Sequence, residues 1–510
     1  MKKQVFCTLL AAMMSAAALV SCGGNNTSDA SSAGQQESSQ AEANQDGGEI
    51  TIYQNCGKLQ SSGKPGSSED SFKAVQDYIL QETGIHVNVI VPPTGEEENK
   101  LNMMLAAQEE FDLFWGGWTR YADEKVIAPL TDSVAKYGQA IVESWGQDAM
   151  DQTTDSSGVL WGIPRMAPLA TYPVYVREDW LQQVGLSAPT TIDELEEVLK
   201  AFKEQDPAGN GQTIPLISTK GEDLHKCLSA GFTGKGYGYY QDTDGKIKPT
   251  VMDIKFKDYL TKMNEWYEKG YLYGETFAID GNTSREIIKK GQVGAAAMWY
   301  SAITIQSPYI QPAVNYLLCA PMTGPAGTNC ETGGTASENA ALVPAYSENV
   351  DTVVKYINWA HEDIENHIVL ENGIKDVDWK YTDEENHVIE LLAENYIGEF
   401  VAHQGVGLEQ RYSFSDPIKK MHYDYLRGPL LDLDRTVLPD TYDVIMNNAE
   451  LQEAVPNLED IKRMIEEETV KFITGIRPLS EYEAFQNELM EIGMEDYIDE
   501  LTRQYTAAKE

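Results

Sequence analysis

Cysteine is scarce in this chain, with six residues among 510. No two are spaced as Cys-x-x-Cys and no Cys/His set has the spacing of metal ligands, so the sequence predicts no structural metal site. Cys7 and Cys22 lie near the N-terminus. The other four could form disulfides in three different pairings, and the sequence does not distinguish among them. These four are Cys56, Cys227, Cys319 and Cys330.

Basic residues are also few, because 39 Lys and Arg stand against 80 Asp and Glu, a formal net charge of −41. Such a surface is a poor partner for nucleic acid and for anionic lipid headgroups. The acidic residues are scattered over predicted helices, which is typical of a solvated, repulsive surface. We therefore expect a monomer with no nucleic-acid partner.

Catalytic signatures are missing too. The chain has no Gly-x-Ser-x-Gly elbow, no His-Glu-x-x-His helix and no Walker-type phosphate loop. His361-Glu362 is followed by His367 at the wrong interval for a zinc protease. Carboxylate pairs are so common in this acidic chain that none stands out as a glycosidase couple. The sequence therefore predicts no enzyme.

The chain has one prominent apolar run, residues 5–20, which follows Lys2 and Lys3. At about 16 residues it is short for a membrane span of about 20, and its layout is that of a secretory signal peptide. The run ends in Leu19-Val20-Ser21-Cys22, which resembles a lipobox. That resemblance implies removal of residues 1–21, lipidation (palmitate) of Cys22, and a location on the outer face of the bacterial cytoplasmic membrane. The alternative is an ordinary signal peptide with an incidental cysteine.

Residues 22–48 are almost entirely Gly, Asn, Ser, Gln, Ala and a few acidic residues, which predicts a flexible tether. The rest of the chain is too long for one ordinary core, so two domains are expected. Residues 49–53 alternate polar and apolar side chains as a strand does, and a predicted helix at 70–83 leads to a second strand at 85–91. This alternation predicts an α/β fold with a largely parallel sheet, whereas the chain after residue 350 reads as mostly helical.

Several short segments occur in a fixed order along the chain. One is Gly158-Val159-Leu160-Trp161-Gly162-Ile163-Pro164, which has the pattern G-x-x-Y/W-G-x-P of a strand turn. The others are Arg177-Glu178-Asp179-Trp180-Leu181, Pro189-Thr190-Thr191, Asp193-Glu194-Leu195, Trp266-Tyr267-Glu268-Lys269-Gly270, Ala296-Ala297-Met298-Trp299 and Phe472-Ile473-Thr474-Gly475. In this order the segments resemble the extracellular solute-binding proteins of ABC importers, and within them the carbohydrate-type (family 1-like) lipoproteins.

The resemblance implies a two-lobed type II periplasmic-binding fold with a hinge and a helical C-terminal region. Lobe 1 begins with residues 49–165, lobe 2 with 166–290, residues 291–349 return to lobe 1, and 350–510 form a mainly helical remainder shared between the lobes. The implied function is capture of a carbohydrate, an oligosaccharide above all, and its delivery to an ABC permease by closure of the cleft. The alternatives are a receptor for a peptide or other small metabolite and, less favoured, a surface glycan-active enzyme or adhesin.

A sugar site needs aromatic faces beside hydrogen-bonding side chains, because sugars combine apolar C–H faces with a rim of hydroxyls. Aromatic and polar residues that follow predicted strands or turns are the candidates, although core packing competes for Trp115, hinge packing for Tyr172 and a turn role for Asn55. The predicted ligand-binding residues are Asn55, Trp115, Trp118, Trp161, Arg165, Tyr172, Trp299 and Tyr300.

The loop at residues 206–212 resembles a shortened EF-hand, since the carbohydrate-binding subgroup often carries a longer Asp/Asn-rich loop there. Asp206 and Asn210 are weak candidates for cation ligands, but Ala208 occupies the third position and the closing acidic pair is missing. A calcium ion needs six to eight oxygen ligands. The sequence therefore favours a plain turn, and no cofactor is expected.

Overall fold

The computed structural model describes residues 47–55, 66–93, 96–155, 157–164, 170, 172–304, 307, 310–333, 339–401, 411–428, 430 and 432–509. The predicted signal peptide, most of the tether and Cys22 lie outside these ranges, as do Cys56 and Arg165.

The first α/β unit forms as the sequence pattern predicts. Strand β1 (Glu49–Tyr53) pairs in parallel with β2 (His86–Ile90), and the helix Glu69–Thr83 connects them. The Ser68 side chain caps this helix by accepting from the Ser71 N–H, and Gly84, with a left-handed φ of 73°, ends it. The helix buries Val75 and Ile79, so the local sequence sets both its ends and its packed face.

A second sheet completes what we call the first lobe. Strand β11 (Asn339–Leu342) lies between β3 (Phe114–Gly117) and β4 (Ile163–Pro164), antiparallel to both. Ile52 and Leu113 form a parallel bridge that joins this sheet to β1. The first lobe also contains the helices Glu97–Ala107, Trp118–Asp123, Thr131–Tyr137, Gln139–Trp145, Gln147–Asp151, Val350–Glu362 and Ile364–Asn372.

A four-stranded sheet organises what we call the second lobe. Its strand order is β10 (Tyr316–Leu318), β5 (Val174–Arg177), β9 (Val293–Ala297), β6 (Ile214–Ser218). The hairpin of β7 (Tyr239–Gln241) and β8 (Ile247–Pro249) turns at Asp244-Gly245, a pair that favours tight hairpin turns. Its helices are Glu178–Val184, Ile192–Gln205, Lys220–Leu228, Ala230–Thr233, Phe256–Glu268, Gly281–Lys289, Ser301–Thr304, Leu458–Ile473, Tyr482–Leu489 and Glu495–Lys509.

The return to the first lobe comes later than the boundary at residue 291 that the sequence predicts. Strand β9 pairs in parallel with β6 and antiparallel with β5, so it belongs to the second lobe. The first later strand of the first lobe is β11, which pairs with β3. The small apolar residues of β9 predict a buried strand correctly, but the pattern carries no information about which sheet accepts it.

Strands also interrupt the last third of the chain, which the sequence predicts to be mostly helical. Strands β12 (Trp379–Asp383), β13 (Val388–Leu391) and β14 (Ser413–Phe414) form a small sheet whose apolar residues join the core of the first lobe. The remaining helices of this part are Pro417–Arg427 and Asn448–Ala454.

Residues 432–447, which we call the crossing segment, contact both lobes. At one end Arg435 forms a bidentate ion pair with Glu331, in which both N–O distances are 2.9 Å. The Arg435 guanidinium also donates to the Cys319 carbonyl at 2.8 Å. Arg435 is only 5% exposed and Glu331 is fully buried. At the other end Ile445 packs on the first lobe, and Asn447 donates to Asp123 at 2.7 Å.

Cys227, Cys319 and Cys330 are buried free thiols in the core of the second lobe. Within the described ranges, none of the pairings that the sequence left open is formed. Likewise, none of the helices in those ranges is both long and apolar enough to cross a membrane.

Candidate binding site

The candidate site lies at one edge of the second lobe's sheet, where three chain segments emerge together. Ser218 and Val174 are each paired with Ala297, so the ends of β6 and β9 and the start of β5 share that edge. In α/β sheets, ligands bind outside the carboxyl ends of the parallel strands. The residues that follow β6 and β9 and precede β5 are therefore the first place to look for a ligand site.

Aromatic and charged side chains meet at this edge. The ring centroids of Tyr172 and Trp299 are 5.3 Å apart in an edge-to-face arrangement, and Trp299 and Tyr300 are also 5.3 Å apart. The ammonium group of Lys226 lies 4.7 Å from the Tyr172 ring centroid and 2.7 Å from a carboxylate oxygen of Glu222. The fold thus brings Tyr172 together with Trp299 and Tyr300 from two distant segments, although Tyr300 is only 6% exposed.

Burial and neighbouring charges shift the pKa values of Asp223 and Lys226 in this cluster. Desolvation raises the pKa of Asp223 to about 6, although the Trp299 backbone N–H donates to its carboxylate and lowers it again in part. Burial by itself would lower the pKa of Lys226, but the Tyr172 hydroxyl and the Glu222 carboxylate outweigh that effect and raise it. Lys226 therefore stays a cation, while Asp223 titrates close to neutral pH.

A cavity of about 630 Å³ adjoins the cluster and shares Glu222 and Lys226 with it. This volume lies within the range of about 300–1,000 Å³ that is typical of small-molecule sites. Its walls include the helices Lys220–Leu228 and Leu458–Ile473, the β7–β8 hairpin, residues 439–446 of the crossing segment, and Tyr497 of the helix Glu495–Lys509.

Aromatic rings line the cavity beside these charged groups. Tyr237 lies against the ring of His225, with centroids 5.2 Å apart, and the hydroxyls of Tyr239 and Tyr497 are 2.7 Å apart. The His225 ring is 2.9 Å from the Tyr259 hydroxyl, and burial lowers the pKa of His225 to about 3. The cavity therefore has a neutral aromatic floor with charged residues around it.

The corresponding edge of the first lobe is built differently. Asn55 donates to the Trp115 carbonyl at 2.8 Å and accepts from the Trp115 N–H at 2.9 Å, which ties the end of β1 to β3. The indole N–H of Trp118 donates to the Gln152 carbonyl at 2.9 Å, and that of Trp161 donates to Asp155 at 2.8 Å. These polar groups are used in holding the lobe together.

The indole rings of Trp115 and Trp118 are 5% and 8% exposed, so both pack in the core of the first lobe. In this conformation neither offers an open face to a ligand. Trp161 is half-buried and packs on the same core. A ligand role for these residues and for Asn55 stays a prediction, and Arg165 lies outside the described residues.

The loop at residues 206–213 is closed by its own hydrogen bonds. The Asp206 carboxylate accepts from the Gly211 N–H at 2.6 Å, from the Thr213 N–H at 3.2 Å and from the Thr213 hydroxyl at 2.7 Å. These bonds lower the pKa of Asp206. Within the described ranges, no group of three or more His, Cys, Asp or Glu side chains is placed to hold a metal ion.

Sequence reasoning missed the charged half of the site. Glu222, Asp223 and Lys226 resemble the charged residues of any helix in so acidic a chain. Residues 439–446 have no periodic pattern at all. The available signal was position, because Glu222 and Asp223 lie in the first turn of the helix that follows β6.

Comparison with known proteins identifies the fold and the family. The sequence profile of the family "Bacterial extracellular solute-binding protein" matches residues 65–363, more than half of the chain. The chain belongs to this family. Extracellular solute-binding proteins bind their ligands rather than transform them, which agrees with the missing catalytic signatures.

Three curated relatives match over part of their length. Lipoprotein LipO of Bacillus subtilis is 25% identical over 255 residues, which cover 46% of this chain and 48% of LipO. The polygalacturonan/rhamnogalacturonan-binding protein YtcQ of the same species is 32% identical over 145 residues, 27% of this chain and 28% of YtcQ. The fructooligosaccharide substrate-binding protein FusA of Streptococcus pneumoniae is 23% identical over 339 residues, 61% of each chain. The chain thus spans between about a quarter and three fifths of these relatives.

Solved structures share the fold over nearly the whole chain. The alginate-binding protein AlgQ2 without calcium has a TM-score of 0.65 at 18% identity, covering 90% of this chain and 98% of AlgQ2. S. pneumoniae FusA in complex with kestose has a TM-score of 0.64 at 18% identity, covering 91% and 99%. This likeness confirms the two-lobed periplasmic-binding fold.

Proposed function

We propose that this protein is a lipid-anchored receptor on the outer face of the bacterial cytoplasmic membrane, which captures an oligosaccharide and delivers it to an ABC permease. The observation that carries the proposal is the cluster at the strand ends of the second lobe, where Tyr172 contacts both Trp299 and Lys226, together with the adjoining cavity, which is lined by Tyr237, Glu222 and Lys226. Aromatic faces suit the C–H faces of sugars, and the charged groups suit their hydroxyls.

The relatives support a carbohydrate ligand over a peptide. FusA is named for fructooligosaccharides and YtcQ for polygalacturonan and rhamnogalacturonan, and FusA has been solved with kestose bound. Closure of the two lobes around the sugar is the expected mechanism, because hinge closure is how two-lobed binding proteins enclose a ligand. No bond of the ligand is made or broken in this mechanism.

A thermal-shift screen of the protein without residues 1–22 tests the ligand class. Neutral and acidic oligosaccharides form the panel, with peptides and small metabolites as controls. A ligand at 100 times its dissociation constant stabilises the fold by about 2.7 kcal/mol, which is readily measured. A shift with an oligosaccharide that is recovered intact supports the proposal. A shift with peptides or other metabolites alone overturns the carbohydrate part of it.

The anchor is tested separately by replacing Cys22 with Ala in cells. We expect the wild-type protein to incorporate a labelled fatty acid and to sediment with membranes, and the variant to do neither. A variant that still carries the label would contradict lipidation at Cys22. Ligand binding by the purified variant serves as the control, since the tether lies outside the cavity.

A further inference from the structure

Several polar side chains that line the cavity already have partners within the protein. Lys226 pairs with Glu222 at 2.7 Å, and the hydroxyls of Tyr239 and Tyr497 are 2.7 Å apart. The hydroxyl of Thr469 donates to a carbonyl of its own helix at 2.8 Å. These groups hold the walls of the cavity together, and a ligand could use them only at the expense of bonds that the fold already makes.

Two lining hydroxyls differ, because neither forms a hydrogen bond in the described part of the chain. Thr441 is only 5% exposed and lines the cavity, yet its hydroxyl has no partner among the described residues. The Tyr237 ring packs against His225, and the described residues provide no partner for its hydroxyl either. Since buried polar groups in folded proteins are nearly always hydrogen-bonded, two unpaired hydroxyls in the wall of one cavity indicate that a bound molecule supplies their partners.

The charges that act on Tyr237 place its hydroxyl at the cavity. Burial raises the pKa of Tyr237, and the charges of Glu222 and Glu466 raise it further. Both of these carboxylates belong to residues that line the cavity, one on each of two helices. The phenolic oxygen is therefore on the side of the ring that faces the cavity walls.

The two hydroxyls come from segments that pack directly on each other. A Cβ atom at Gly236 would lie 2.4 Å from the Pro439 nitrogen, so the backbone just before Tyr237 touches the crossing segment. The Gln241 N–H also donates to the Asp440 carboxylate at 2.7 Å. Because these contacts exist without a ligand, the two hydroxyls are held in place in advance, which lowers the entropy lost on binding.

We propose that Tyr237 and Thr441 are ligand-binding residues whose hydroxyls form hydrogen bonds with hydroxyls of a sugar unit in the cavity. A tyrosine or threonine hydroxyl both donates and accepts, as a sugar hydroxyl does. Val444 and Met446 of the crossing segment line the same cavity and offer apolar surface to the C–H groups of the sugar. This inference rests on the proposed oligosaccharide receptor function and adds two contact residues outside the sequence-based candidates.

Removal of either hydroxyl should weaken sugar binding without weakening the fold. Tyr237→Phe deletes one oxygen atom, and Thr441→Val replaces the hydroxyl by a methyl group. We expect each variant to bind the oligosaccharide with the largest thermal shift about three- to tenfold more weakly in calorimetric titration, as the loss of one hydrogen bond does. The melting temperature of the free protein should stay the same or rise, because neither hydroxyl has a partner to lose.

Matched deletions separate contact with the sugar from general effects. Tyr273→Phe and Thr261→Val make the same two changes in the second lobe, at hydroxyls that are bonded to groups outside the cavity lining, and should leave the affinity unchanged. Tyr239→Phe should instead lower the melting temperature, because the hydroxyl of Tyr497, a residue only 2% exposed, loses its partner.

Monodeoxy analogues of the bound sugar test the contact from the side of the ligand. The wild-type protein should discriminate against at least one of them, and Tyr237→Phe or Thr441→Val should bind that analogue and the parent sugar about equally. Equal discrimination by wild type and both variants overturns the inference and leaves the receptor function standing, as does unchanged affinity of both variants for the parent sugar. Binding of peptides or other metabolites alone overturns the oligosaccharide receptor function, and the inference falls with it.

Discussion

The edges of the two lobes use the same kinds of residue for different purposes. In the first lobe, the side chains of Trp118 and Asn55 form hydrogen bonds with backbone groups, and Trp118 is buried. In the second lobe, Trp299 and Tyr172 are only half-buried and contact each other, and Tyr172 also contacts Lys226, which lines the adjoining cavity. An aromatic residue that follows a strand therefore indicates a ligand-binding site only where its ring remains accessible.

Truncation of Trp118 should have the largest effect on stability. Trp118→Ala should reduce the free energy of unfolding by about 3–5 kcal/mol, because it empties a core position and removes the bond to the Gln152 carbonyl. Denaturant unfolding measures this loss. Ligand affinity of the folded fraction should change little, and a large loss of affinity without a loss of stability would mean that Trp118 contacts the ligand.

Trp299 should show the opposite behaviour. Trp299→Ala should weaken ligand binding by about 2 kcal/mol, roughly thirtyfold, as truncation of a central aromatic contact does. Calorimetry with the ligand found in the screen gives the affinity, and denaturant unfolding checks that stability falls by less than for Trp118→Ala. If both variants lose stability alone, the two edges do not differ in the way described.

A substitution of Asn55 tests whether this residue has a structural role in the first lobe. Asn55→Ala should cost about 1–2 kcal/mol of stability, because two hydrogen bonds between the ends of β1 and β3 are lost. The matched change Asn282→Ala removes an exposed amide on a distant helix and should have almost no effect. A loss of affinity at unchanged stability in Asn55→Ala would instead favour direct contact with the ligand.

The smallest expected effect is a pH dependence from Asp223. Burial raises the pKa of Asp223 from its ordinary value of 3.8 to about 6, so the folded state binds more protons than the unfolded state between these pH values. Stability from this group is therefore fully present below about pH 4 and is lost as the pH rises through about 6. The melting temperature of Asp223→Asn should fall less than that of wild type over this window. Parallel curves for the two proteins would contradict the assignment.

Much of the fold could be predicted from the sequence, because local signals determine it. The strands at 49–53 and 85–91, the helix between them and the Asp-Gly hairpin are set by periodicity, caps and turn residues. The sheet that accepts β9 could not be predicted, since parallel pairing depends on distant segments. The strands after residue 378 were missed for the same reason, because they are short and pair only with one another.

The sequence predicted aromatic residues of the candidate site but not its charged residues. Tyr172 and Trp299 follow from the rule that aromatics near strand ends can reach a cleft, and the structure places them together. Tyr300 adjoins Trp299, but it is buried, as Trp115 and Trp118 are. The same rule also selected Trp115 and Trp118, which pack inward. Strand register and the neighbouring side chains decide which face of a loop is covered, and neither is encoded in the loop itself.

The crossing segment joins both lobes and also forms one wall of the cavity. A rotation of one lobe against the other would move this wall through both of its ends, so we expect the volume of the cavity to depend on the angle between the lobes. Small-angle scattering with and without ligand, which reports the radius of gyration, would then show whether filling the cavity is accompanied by a change in that angle.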